Sequence, residues 1–159
     1  MKPGWYGESM NFRVLLEAEA RRRYGRHLTV RLNGALPEVG FAGSLVYNLD
    51  ELDVRGRVLP IPVQVTFRPT LRPKYASAIE PQDYPRVVAE PDARSPHRVE
   101  GRALCLYYPW DPKEDRWHAA LGLAALFDLT AQHLLFEHLW RENGNVWLGR
   151  EAPHETPIR

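Results

Sequence analysis

The chain has 159 residues, of which 44% are hydrophobic, and 21 Lys+Arg against 20 Asp+Glu leave a formal net charge of +1. This is the composition of a globular chain, not a disordered one, and a charge so near zero removes the electrostatic case for nucleic acid as the main partner. No stretch reaches the ~20 apolar residues that a bilayer span needs, and no apolar run follows Lys2 as it would in a secretory signal. The expectation is one cytoplasmic domain over residues 1–159, with its core at about 10–150 and a polar C-terminal tail.

Taken in chain order, residues 10–24 predict a first helix, with Asn11 as N-cap, Phe12, Leu15, Leu16 and Ala20 on the apolar face and Gly25 as stop. Glu17 and Glu19 stand at short helical offsets from Arg21, Arg22 and Arg23, which read as a solvated last turn. From His27 the period changes to two. Leu28, Val30 and Leu32 form a strand that ends at the turn signal Asn33-Gly34, and further strands are expected at 44–49 and 63–67, the latter just after Pro60 and Pro62. Residues 68–100 carry six prolines, and only Arg86 to Ala89 reads as extended there; a stretch that irregular inside a compact domain is usually functional. Ala103 to Tyr108 is a short apolar run closed by Pro109-Trp110-Asp111-Pro112.

Residues 117–142 read as two helices, or one with a break at Gly122 or at Asp128-Leu129-Thr130, burying Leu121, Ala125, Leu129, Leu135 and Leu139. The tail from Trp147 onward is expected to fray. Strands followed by helices predict an α+β domain with helices on one face or end of an antiparallel sheet.

Phosphate loops, nucleophile elbows and calcium loops are absent from the sequence. His133 and Glu137 share a helical face while His138 points elsewhere, and two ligands without a third make no metal site. A single cysteine, Cys105, excludes an internal disulfide. A lone cysteine reads either as a small buried hydrophobe or as a nucleophile, and His97 and Arg102 are near enough in sequence to favour its thiolate if they are near in space.

Around that cysteine the chain resembles ubiquitin-conjugating enzymes. Tyr84-Pro85 is similar to the pair ahead of their fourth strand, and a Pro-rich region leads through His97 and Gly101 to Ala103-Leu104-Cys105-Leu106-Tyr107-Tyr108-Pro109. The order of elements is also similar: an N-terminal helix, a four-stranded antiparallel meander, the cysteine after the fourth strand, then C-terminal helices. A closer resemblance is to the bacterial ubiquitin-conjugating-enzyme-like proteins of short type II CBASS anti-phage operons. It is carried by His97-Arg98, the Leu-Cys-Leu-Tyr core, Glu137-His138-Leu139-Trp140, and Trp147-Leu148-Gly149 leading to His154. The motifs cover roughly residues 84–154, and the first half matches in layout alone. The chain departs from the eukaryotic pattern in having Pro96-His97-Arg98 for His-Pro-Asn, Gly101 four residues before Cys105, and Gly149-Arg150 where a second glycine is usual.

The resemblance implies a cysteine acyltransferase of ubiquitin-conjugating-like fold. Cys105 would hold, as a thioester, the C-terminus of a cGAS-like nucleotidyltransferase and pass it to an amine on a target protein, regulating anti-phage signalling, with no cofactor, metal, nucleic acid or membrane involved. His97, or backbone N–H groups near Leu106, would support the oxyanion, or His97 would orient the loop. Tyr107, Tyr108, Trp110 and Trp117 would pack the cysteine loop against the helices, with a donor role open to Tyr107, and Glu137, Trp140, Trp147 and His154 would be structural. Two rival readings are a non-catalytic partner-binding module of the same fold and a Cys-His hydrolase using His97 or His154.

Overall fold

A computed structural model describes residues 4–99 and 102–149. Helix α1 (Met10–Tyr24) begins at Ser9, whose backbone is extended and whose Oγ accepts the Phe12 N–H at 3.3 Å. Ser9, not Asn11, is therefore the cap: its hydroxyl lies three residues before an N–H that has no partner inside the helix. The helix buries Leu16, Glu17 and Ala20, whereas Leu15, expected inside, is 79% exposed. A polar residue takes its place because Tyr47 Oη donates to Glu17 at 2.5 Å, with Arg21 Nε 2.8 Å from the same carboxylate. Gly25 ends the helix with φ of 53°. Arg22 and Arg23 pair with Glu19, and Arg23 also reaches Asp128 at 2.7 Å.

Four strands follow as an antiparallel meander: β1 (Leu28–Asn33), β2 (Ser44–Leu52), β3 (Ile61–Phe67) and β4 (Arg86–Val88), paired in chain order. One row of the register, Val30–Tyr47–Val65–Val87, runs across all four strands and places three buried side chains in line on the core face. Asn33-Gly34 is not a tight hairpin. Asn33 still pairs with Ser44, and the chain between them makes its own small loop closed at Leu36 and Phe41. β2 runs three residues past its predicted end because a bulge between Leu49 and Leu52 resets the register onto Ile61. Pro62 accordingly lies inside β3, exposed, where an irregular pairing needs no N–H from it.

After a short 3₁₀ turn (Ala119–Leu121), Gly122 with φ of 87° breaks the chain, and a single helix α2 runs over Leu123–Glu142. The break at Asp128–Thr130 does not occur. Thr130 Oγ1 donates to the Leu126 carbonyl at 2.7 Å, satisfying the hydroxyl within the helix, and Asp128 turns outward to Arg23. The core face is Leu123, Leu126, Phe127, Thr130, Leu134 and Glu137; Leu121 is exposed, and Ala125, Leu129, Leu135 and Leu139 are only half-buried. Leucines on both flanks hid the phase of the helix, which is set by the break at Gly122. α1, α2 and the inner sheet face share one core, with Tyr24 edge-on to Phe127 at 5.5 Å. The architecture is α+β, as expected, and among the described residues no helix is long and apolar enough to cross a membrane.

Removing the Tyr47 hydroxyl strands part of a buried carboxylate. Tyr47→Phe should lower unfolding free energy by about 2 kcal/mol in urea titrations, and Glu17→Gln should reduce the effect of that change in a double-mutant cycle.

Candidate active site

Cys105 is placed by a hairpin too short to be seen as periodic sequence. β5 (Arg98–Val99) pairs with β6 (Ala103–Leu104), and the Cys105 N–H continues the ladder by donating to the His97 carbonyl at 2.9 Å. Arg102, the residue just before the returning strand, has φ of 81°, the left-handed conformation that a tight reversal demands. One side chain then ties the hairpin down. Arg98 donates to both oxygens of Glu137 on α2, at 2.8 and 2.7 Å, and to the carbonyls of Ala89 and Arg102 at 2.8 and 3.2 Å. Glu137 is 0% exposed. Burial alone would raise its carboxyl, but His133 beside it and the two hydrogen bonds from Arg98 outweigh that and hold it at about 2.

His97 and Cys105 line one cleft of about 450 Å³. Its other walls are His133 and Phe136 of α2 and Trp147 from the chain beyond the helix, with Asp111, Glu114 and Asp115 along one side. Cys105 is half-buried and so is neither an inert core residue nor a fully exposed thiol; burial pushes its pKa up to about 11. His97, expected as its partner, is 6% exposed and lies with its ring 4.1 Å from Trp147 and 6.4 Å from His133. Its main-chain N–H donates to Ser95 Oγ. Trp147 therefore does not fray. Gly149 explains how it is seated: a Cβ there would stand 2.7 Å from the Phe136 ring and 2.9 Å from Trp147 Nε1, so only glycine passes.

Tyr107 is not a donor to the cleft. Its hydroxyl donates to the Asp83 carbonyl at 2.6 Å, and burial raises its pKa well above the ordinary tyrosine value. Asp83 in turn accepts the Ala119 N–H at 2.8 Å. Trp117 packs inward beside Tyr107 and donates to the Gly122 carbonyl, as expected of a residue that joins the loop to α2. Trp110 lies 5.0 Å from Tyr108 and 5.6 Å from Tyr75 and so packs on the Pro-rich segment, while Tyr108 lines the Cys105 cleft. Trp140 lies beneath the Arg94 guanidinium at 4.8 Å, a structural role. His154, Gly101 and the tail from Arg150 fall outside the described residues.

Sequence reasoning missed three features. The Arg98–Glu137 pair joins residues 39 apart, a separation that no local pattern reports. The seat of Trp147 against Phe136, His133 and Gly149 depends on close packing that residue order does not report, although a structural role for Trp147 is expected. A second cleft of about 280 Å³, with Arg68, Arg72 and Arg86 on its wall, lies across the cysteine-bearing segment and shares Leu106 and Tyr107 with the first. His133 and Glu137 do face one another, at 3.6 Å, but Glu137 is taken by Arg98, and no group of three metal-ligating side chains occurs among the described residues.

No family model matches the chain, and no curated protein or solved structure matches it.

A carboxyl depressed on folding stabilises the fold above its unfolded pKa and loses that contribution as pH falls through the folded value. Glu137 should thus supply about 3 kcal/mol at neutral pH that disappears between roughly pH 4.5 and 2. Glu137→Gln should flatten that part of the pH–stability curve measured by urea unfolding, and should lower stability at pH 7 by about 3–5 kcal/mol because Arg98 is left without its counter-charge.

Proposed function

We propose that this chain is a ubiquitin-conjugating-enzyme-like cysteine acyltransferase in which Cys105 carries an acyl group as a thioester. The observation that carries the reading is the position of Cys105: it follows a helix and a four-stranded antiparallel meander and opens into a cleft beside His97, where a purely structural thiol would sit inside the core. In the first step the Cys105 sulfur attacks the activated carbonyl of a partner's C-terminus; a C–S bond forms and the activating group leaves. In the second, an amine attacks the thioester, the tetrahedral oxyanion collapses, and the electron pair returns to sulfur. The Leu106 N–H and the His97 ring are the candidate donors to that oxyanion. With its carbonyl holding the Cys105 N–H and its ring on Trp147, His97 also keeps the cysteine loop in place.

The raised pKa of Cys105 bears on the choice between carrier and hydrolase. Burial holds the thiol at about 11, so it is protonated at neutral pH. Cysteine hydrolases use the opposite device, a thiolate held low by an imidazolium. The partner follows from the resemblance: the C-terminus of a cGAS-like nucleotidyltransferase in a cytoplasmic CBASS anti-phage system, transferred to an amine on a target protein, with no cofactor of the enzyme's own.

The test is co-expression with such a nucleotidyltransferase, read on non-reducing gels with intact mass. Wild type should give a thiol-sensitive adduct, Cys105→Ser a reductant-resistant ester that persists longer, and Cys105→Ala none; co-purification without any adduct would leave a binding module, and neither would return Cys105 to structure. Alkylation of Cys105 by iodoacetamide should separately rise about tenfold per pH unit from 7 to 10 and level off near 11.

A further inference from the structure

The Pro-rich stretch that opens at Arg68 is not used by the chemistry proposed for Cys105, yet irregular backbone of that length inside a compact domain is usually functional. It walls the second cleft, of about 280 Å³, across the cysteine-bearing segment. The polar side chains on the described part of that wall are arginine, threonine and tyrosine alone. Every one of them is a hydrogen-bond donor, and none is acidic. The Cys105 cleft differs, with Asp111, Glu114 and Asp115 along one side.

The arginines of the second cleft come from separate elements. Arg68 follows β3, its carbonyl held by the Tyr6 hydroxyl at 2.6 Å; Arg86 opens β4 opposite Thr66 of β3; Arg72 lies in the Pro-rich stretch. Arg72 and Arg86 engage other groups as well. A guanidinium has five N–H donors and serves several acceptors at once, as Arg98 does with four oxygens. Tyr75 is an independent sign of a ligand. It lines the cleft, is 2% exposed, and its buried hydroxyl has no hydrogen-bond partner among the described residues. The residue is fixed in place: its N–H donates to the Arg72 carbonyl at 2.9 Å, and its ring centre lies 5.1 Å from that of Tyr84 and 5.6 Å from that of Trp110. A buried hydroxyl left unpaired is destabilising, and a ligand oxygen that accepts from it removes that penalty. Positive charge, donors without acceptors and an unpaired phenol together call for an oxyanion.

We infer that the second cleft is a binding site for a small phosphate monoester with an aromatic body. Phosphate suits the wall because it offers three acceptor oxygens and close to two negative charges, against two oxygens and one charge for a carboxylate. The phosphate meets the Tyr75 hydroxyl and the guanidinium groups of Arg68 and Arg86, while Val87 and Leu104, both buried, and the Tyr84 ring take the body. A cleft of about 280 Å³ is near the lower end of small-ligand sites, so such a molecule fills it where a bare ion does not. No step at this site uses Cys105, and the inference stands apart from the acyl-carrier reading.

The isotope-labelled full chain is titrated with phenyl phosphate in phosphate-free buffer and followed by two-dimensional amide NMR. Wild type should show saturable shifts at the N–H groups of Arg68, Tyr75, Arg86 and Leu104, with Kd below about 1 mM. Phenol, inorganic phosphate and benzoate should each bind at least about tenfold more weakly, because each lacks the charge, the ring or the third oxygen. Tyr75→Phe keeps the ring and should weaken binding about tenfold, while its Tm stays level or rises because the unpaired hydroxyl is gone. Arg68→Gln should weaken binding as much, and Cys105→Ala should bind as wild type. The inference is overturned by the absence of saturable shifts, by shifts that map to His97 and Trp147, or by unchanged binding in Tyr75→Phe. A lowered Tm in that variant would show that the hydroxyl already has a partner, and equal binding of phenol, benzoate or inorganic phosphate would overturn the assigned ligand class.

Discussion

The Arg98 guanidinium meets Glu137 of α2 through two hydrogen bonds and the carbonyls of Ala89 and Arg102 through two more, so one charged group fixes the end of β4, the cysteine hairpin and α2 against each other. A hairpin of two-residue strands has no independent stability, and packing alone would leave its position along the sheet loosely defined. Burying an ion pair is no bargain in itself, because the desolvation of both groups offsets much of their attraction. What the pair provides here is a single answer to where the hairpin lies: any shift would leave a carboxylate with 0% exposure facing no cation.

Everything about Cys105 follows from that placement. The ladder bond to His97 and the clamp at Arg98 hold the sulfur at the boundary between core and cleft, buried enough to raise its pKa and open enough to meet a ligand. Aromatic side chains supply the stiffness around it. Tyr107 and Trp117 brace one side through Asp83 and Gly122, and Trp147 packs, tilted, against His97 at the other. The acidic stretch between them faces the cleft with its backbone committed to turns. The thiol is thus set among side chains whose own positions are fixed by hydrogen bonds and ring packing.

The periodic parts of the fold were legible in the sequence. α1, the alternation in β1 and β3, and the short extension at β4 all come from local patterns that burial on one face enforces. What escaped notice was whatever depends on a partner far along the chain. Leu15 and Glu17 exchange their expected environments because Tyr47 waits 30 residues on with a hydroxyl for a carboxylate. The phase of α2 depends on a glycine break that leucine content cannot report. At the site, Cys105 and His97 could be named from the residues around them, since the hairpin that joins them is local. The clamp at Glu137, the packing of Trp147 and the second cleft could not, because each is made of segments whose sequences say nothing about one another.

The spread of the cleft's walls along the chain has a kinetic consequence. The meander is made of neighbours in sequence and can pair as soon as β4 exists, but the cleft draws on residues from His97 to Gly149. Contacts between distant segments form only after their loop-closure entropy has been met, so the site is assembled in the last stage of folding. During synthesis the sulfur therefore emerges well before α2 and Trp147 can wall it in. The cleft is a property of the finished molecule, and a chain stalled short of Trp147 would hold a sheet and a thiol but no chamber.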